Sequence, residues 1–166
     1  IIEQTLTPDA TYSANPIQII SFIACIIWLT GIAAMLLYTI ISYLQIYFKV
    51  KEAIPLKDNI FICDSVSSPF ILGIVRPKIF LPSAMNEEDR KYVIAHEKAH
   101  IKRFDHIIKP LGYLLLSVHW FNPLMWVAYI LLCRDIELAC DEKVIKDLDT
   151  NEKADYTQAL LACSIG

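Results

Sequence analysis

Val93-Ile94-Ala95-His96-Glu97-Lys98-Ala99-His100-Ile101-Lys102-Arg103 is the stretch from which the 166-residue chain is best read. On a helix, residues four apart project from one face about one turn from each other, so His96 and His100 have the spacing at which two imidazoles grip one metal ion. Glu97 between them lies close enough to take a proton from a water at that ion, the division of labour that the His-Glu-x-x-His pattern serves in metallopeptidases. The bland alternative is a solvated helix carrying two incidental histidines. The flanking residues favour a site. Asn86 stands where an N-cap belongs, and Glu87, Glu88 and Asp89 fill the first turn, where carboxylates meet the positive end of the helix dipole. Tyr92, Val93, Ala95, Ala99 and Ile101 then give apolar faces, while Lys98, Lys102 and Arg103 keep one side wet.

Outside that stretch the chain is unusually apolar. Hydrophobic residues make up 55% and the mean hydropathy is +0.44, values that point to a membrane protein before any segment is inspected. A net charge of -3 with no basic stripe interleaved with aromatics gives no direct nucleic-acid partner. The five cysteines are odd in number and widely spaced, which argues against a disulfide framework or a Cys-x-x-Cys metal site; they read as small buried residues in a reducing compartment. The start at Ile1 and the stop at Gly166, inside a helical pattern, read as the ends of a piece of something longer.

No charged residue occurs from Ala10 to Phe48. That run exceeds the roughly 20 residues needed to cross the hydrocarbon core, so residues 16–48 are expected to form a transmembrane helix, too long and too poorly flanked for a signal peptide. All fifteen Lys and Arg residues lie at or beyond Lys49, which by the positive-inside rule places residues 49–166 on the cytoplasmic side and residues 1–15 outside as a loop or tail. Short β-branched and aromatic runs, Asn59 to Cys63, Pro69 to Val75 and Lys78 to Leu81, read as strands joined by turns. A free edge of that sheet would bind an extended peptide as an added strand; equally, the sheet would simply pack under the helix.

Pro110 to Cys133 is again free of Asp, Glu, Lys and Arg, long enough for a second span. Its middle, His119-Trp120-Phe121-Asn122-Pro123, places an imidazole, an amide and a proline at bilayer depth, so residues 107–133 are read as an apolar helical hairpin turning at Asn122 and Pro123, about 18 Å deep. Beyond it, Glu137 and Asp141 share a helix face at i, i+4, so one carboxylate could complete a two-histidine site while the other receives a histidine N–H; the bland alternative is a solvated acidic face, the usual meaning of that spacing. Tyr156 to Leu161 reads as an amphipathic helix without chemistry.

Taken together, Ser68 to Pro82, His96 to His106, His119 to Trp126 and Glu137 to Asp141 resemble, in content and order, the metallopeptidase domain of the BlaR/MecR-type transducers, over roughly residues 60–162. The resemblance implies a mainly α membrane protein with a small β-sheet, one transmembrane helix followed by a gluzincin-like α+β zinc peptidase domain at a Gram-positive membrane. It also implies Zn2+ held by His96, His100 and Glu137, Glu97 as base and Asp141 orienting a ligand. The protein substrate would be a cytosolic repressor, cut in response to an external β-lactam; no penicillin-binding sensor is found in these residues, so that response is an expectation for a longer chain. His119 is a candidate for stabilising the transition state if the hairpin returns it to the site. His106 is a rival third ligand, at the metzincin offset of ten residues from His96. The glycine that lets metzincins turn is replaced by Arg103, and a continuing helix would carry His106 away from the metal. Two other readings share these motifs, a CaaX-type or housekeeping membrane zinc protease and a non-catalytic zinc-stabilised transducer.

Overall fold

A computed structural model describes residues 15–146 and 148–165, without the side chains of 151 and 162–165. The expected outer tail over residues 1–15 therefore falls, except for Asn15, outside the described residues. The first helix, α1 (Pro16–Lys49), starts where Asn15 accepts a hydrogen bond from the Ile17 amide and Pro16 occupies the first turn. Its 34 residues extend about 51 Å, and none is buried by protein. Its hydroxyl side chains Ser21, Thr30 and Thr39 donate within the helix, to the carbonyls of Gln18, Ile26 and Met35. This helix is long and apolar enough to cross a membrane. Cys25 lies exposed on it, contrary to the reading of the cysteines as buried; Cys63 and Cys140 are buried, and both, with Cys25 and Cys133, are free thiols.

A four-stranded sheet follows, β1 (Ile54–Lys57), β2 (Ile60–Cys63), β3 (Phe70–Leu72) and β4 (Lys78–Pro82), in the order β1-β2-β4-β3. Strand β1 was not apparent in the sequence because its residues are all exposed and include a proline, which is tolerated at an edge. Pairing is antiparallel for β1 with β2 and β3 with β4, and parallel for β2 with β4. The β3–β4 turn needs Gly73, whose φ is +105° and where a Cβ would come within 2.8 Å of the Arg76 carbonyl oxygen. Period-two alternation splits β4 between two cores. Ile79 and Leu81 meet Ile60 and Val93 on one face, and Phe80 stacks between Phe61 and Phe70 on the other, close to Val50 at the end of α1.

Helix α2 (Glu87–Lys102) packs on the first of those faces and buries Tyr92, Val93, His96, Glu97, Ala99 and His100. Asn86 occupies the N-cap position but makes no capping bond to the helix; its amide lies 3.4 Å from Asp89 Oδ2 instead. Phe104 adopts the left-handed conformation, φ 63°, and ends α2. The chain thus turns despite lacking glycine at position 103, so the continuous helix expected through His106 is corrected. Helices α3 (Asp105–Val118) and α4 (Pro123–Ile145) form an antiparallel hairpin: Gly112 faces Leu132, Tyr113 faces Tyr129, and Lys109 faces Glu137. Asn122 caps α4 by accepting from the Leu124 amide, with Pro123 in the first turn. The returning arm runs unbroken past Cys133 and carries Glu137 and Asp141 to α2. Helix α5 (Thr150–Ile165) packs across α2 through Tyr156 and Ala159.

Candidate metal centre

The left-handed turn at Phe104 and the return of α4 bring residues far apart in sequence to the buried face of α2. His96 Nε2 and His100 Nε2 lie 3.1 Å apart, and Glu137 Oε2 stands 3.7 Å from the first and 3.4 Å from the second. Ligand atoms on a tetrahedral ion with bonds of about 2.0–2.1 Å are separated by about 3.3–3.4 Å, so the triangle has the size that one small divalent cation requires.

The other ring nitrogens fix the tautomers. The single hydroxyl proton of Tyr156 is donated to Asp141 Oδ1 at 2.8 Å, so its oxygen, 2.8 Å from His96 Nδ1, accepts the imidazole proton there; Asp141 Oδ1 itself lies 3.2 Å from the same nitrogen. His100 Nδ1 is held at 2.8 Å by Asp105 Oδ2, which also accepts from Arg103 Nε at 3.2 Å. With each Nδ1 anchored in this way, the Nε2 atoms of both rings are left facing the Glu137 oxygen, where a metal would displace any proton they carry. Asp105 and Tyr156 are 1% exposed, and neither was picked out from sequence: Asp105 carried no spacing signal, and Tyr156 reads as one more apolar helix position.

Charge follows the same geometry. Hydrogen bonds from His100 and His96, opposed by burial and reinforced by Lys109, hold the Glu137 carboxyl well below the ordinary range. Burial disfavours charge on both histidines, but hydrogen bonding to Cys140 and Glu137 outweighs it and raises both above the ordinary imidazole value. A divalent cation would take over this positive charge. Burial pushes the Glu97 carboxyl upward, partly offset by His96 and His100, the direction that suits a base working near neutrality. Burial, then Asp141, push the Tyr156 hydroxyl upward, so it keeps its proton.

Cys140 is the competing third ligand. Its sulfur and ring nitrogens of His96 and His100 lie within 4.8 Å of one another, and the hydrogen bonds to the two rings outweigh burial and lower its pKa. Its thiol, however, donates to the His96 carbonyl at 3.4 Å and lies 3.9 Å from Nδ1, the edge that Tyr156 and Asp141 already occupy. Glu137 faces the Nε2 edges of both rings and is the better-placed ligand.

His96, His100 and Glu137 open onto a cavity of about 310 Å³ walled by Phe70 and Ile71 of β3, Glu97, His106 and Lys109. Among the described residues β3 pairs only with β4, and its Phe70 and Ile71 line the cavity beside the unpaired edge. His106 reaches this wall yet is no part of the triangle; its Nδ1 is buried with no hydrogen-bond partner among the described residues. His119 is not brought here. It caps the far end of α3, about 20 Å from Asp105 along the helix, with Nδ1 donating to the Leu115 carbonyl, so its candidacy as a transition-state group is corrected.

Two neighbouring histidines of α2 and a carboxylate of α4, with a buried glutamate beside them, form the kind of donor set that a metallopeptidase centre requires. The chain belongs to the BlaR1 peptidase M56 family, whose model matches residues 2–166. It is 26% identical over 188 aligned residues to the methicillin resistance mecR1 protein of Staphylococcus aureus (strain Mu50), covering 98% of this chain and 32% of that protein. It is 32% identical over 158 residues to the regulatory protein BlaR1 of Bacillus licheniformis, covering 81% of this chain and 26% of that one. The chain thus spans about a third or less of these relatives. With α1, the family makes it a membrane protein of a signal-transducing metallopeptidase family.

Proposed function

We propose that this chain carries the zinc endopeptidase centre of a membrane signal transducer, with His96, His100 and Glu137 holding the ion and Glu97 as general base. The observation that carries the reading is the Nε2–Nε2–Oε2 triangle of 3.1, 3.4 and 3.7 Å, whose two imidazoles both have their Nδ1 protons anchored elsewhere. Zinc bound there would supply Lewis acidity, polarising a peptide carbonyl and acidifying a water. The protein's own part is positional. Glu97, 8% exposed, accepts the proton of the attacking water and delivers it to the leaving amine. The free edge of β3 receives the peptide as an added strand and lays its scissile bond across the cavity. Asp141, through Tyr156, and Asp105 hold the two imidazoles at fixed angles.

The concentration of Lys and Arg after α1 supports a cytoplasmic face for the centre and an outer face for the N-terminus. The relatives' names, with their words resistance and regulatory, support a signalling role over a housekeeping protease. In that role the substrate is a cytosolic repressor and the trigger an external signal such as a β-lactam, sensed by a domain of a longer chain. Glu97→Gln tests the enzymatic core: the variant should keep stoichiometric zinc by elemental analysis while proteolysis is abolished. Full proteolysis in the variant would remove this mechanism, whereas undiminished signalling in a variant without proteolysis would favour the non-catalytic zinc-stabilised transducer.

A further inference from the structure

The hairpin has a feature that the catalytic reading does not use. Its tip meets α1 through three indoles, each donating to a main-chain carbonyl: Trp28 to Val118 at 2.7 Å, Trp120 to Trp28 at 3.2 Å, and Trp126 to Trp120 at 2.8 Å. Several other groups of the turn are also paired from within. The Asn122 amide donates to the His119 carbonyl, the His119 amide to those of Leu115 and Leu116, and the Asn122 side chain accepts from the Leu124 amide. A water-exposed turn needs no such accounting, because water supplies the missing partners. A turn in hydrocarbon gains from each such bond, since nothing else there can reach the carbonyls of Val118, Trp28 and Trp120.

The outer surface agrees. Leu124, Val127, Ile130 and Leu131 on α4 and Leu111 and Leu115 on α3 are between 49% and 73% exposed, a continuous apolar face with no Asp, Glu, Lys or Arg from Pro110 to Cys133. Length fixes the depth. At the hairpin base, Thr39 of α1 shares a cavity wall with Pro110; at the tip, Trp28 of α1 bonds Val118. Eleven residues of helix separate those levels, about 17 Å, which is half of a hydrocarbon core about 30 Å thick. Below the base, charge returns at once with Lys109, Arg134 and Asp135, and Lys109 is ion-paired to Glu137 in the metal cavity.

We propose that α3–α4 is a re-entrant hairpin covered by lipid hydrocarbon and fixed at mid-bilayer by the Trp28–Trp120–Trp126 clasp, so that the metal cavity lies at the lipid–water boundary. The embedding stands on the hairpin alone. Its consequence for substrates rests on the peptidase reading: the segment cut is one presented at the membrane surface. The three tryptophans are the chain's full complement and all sit in the clasp, so intrinsic fluorescence reports the tip directly. The full chain would be reconstituted in phosphatidylcholine vesicles whose acyl chains carry bromine either near the bilayer centre or beside the headgroup. The proposal predicts that central bromine removes about half or more of the emission, that headgroup bromine removes much less, and that aqueous iodide has little effect. Trp28→Phe, which leaves only the two hairpin indoles, should give the same order. Strongest quenching beside the headgroup or by iodide would overturn the embedding. So would indifference to every quencher, which would mean that protein, such as a second copy, covers the face. The Glu97→Gln protein should give the same profile, which separates this test from the fate of the peptidase reading.

Discussion

The hydroxyl of Tyr156 on α5 lies 2.8 Å from Nδ1 of His96 on α2, sixty residues earlier in the chain. The contact makes α5 part of the proposed metal centre, because it anchors Nδ1 of His96 and leaves Nε2 as the nitrogen to bind. Tyr156→Phe keeps the ring's packing and removes only the hydroxyl, which accepts from His96 and donates to Asp141. It should lower zinc affinity about 10- to 100-fold, the usual cost of losing a group that orients a ligand. Competition titration with a fluorescent chelator measures this, and unchanged affinity would show that Asp141 alone orients the ring.

The raised histidines set a pH dependence with a definite sign. In chelator-treated protein their folded pKa values lie above the unfolded value, so the stabilisation is fully present below about 6.5 and is lost as pH rises through about 9 for His96 and about 10 for His100. The depressed carboxyl of Glu137 acts oppositely, its contribution being lost as pH falls below the ordinary carboxylate range. The melting temperature of zinc-free protein in detergent should therefore fall on the alkaline side, and zinc affinity should strengthen over that interval because binding must displace the proton. A melting temperature flat across the alkaline range, with zinc affinity independent of pH, would contradict this account of the pair.

Gly31 of α1 faces the Trp120 indole so closely that a methyl group added there would fall within the ring. Gly31→Ala should therefore cost about 1–3 kcal/mol through displacement of the indole, despite the better helix propensity of alanine. A lowered thermal midpoint in detergent checks it; an unchanged or raised midpoint would mean that Trp120 does not rest on α1.

How much of this was legible in the sequence differs by element. The spanning helix, the break at residues 119–122 and the His96–His100 pair were readable because each rests on local periodicity or on a run of one chemical character. Glu137 and Asp141 were readable only as a pair sharing a face, since a carboxylate on a helix says nothing of what it faces. Asp105 and Tyr156 were not readable. Asp105 depends on Phe104 entering the left-handed region, which a bulky residue does only when its surroundings enforce it, and Tyr156 depends on α5 folding back across α2. His119 was misjudged because pattern gives a hairpin but not the distance of its tip from the site.

The claim on which the peptidase reading depends is that Glu137 completes the metal triangle, with Cys140 and His106 near it but not ligands. Zinc titration of Glu137→Ala, Cys140→Ser and His106→Ala in parallel with the parent protein tests it most directly. The account predicts loss of most zinc affinity in Glu137→Ala and near-parent affinity in the other two. Retention in Glu137→Ala with loss in Cys140→Ser or His106→Ala would contradict it, and would move the centre to the opposite edge of His96 or to the turn after Phe104.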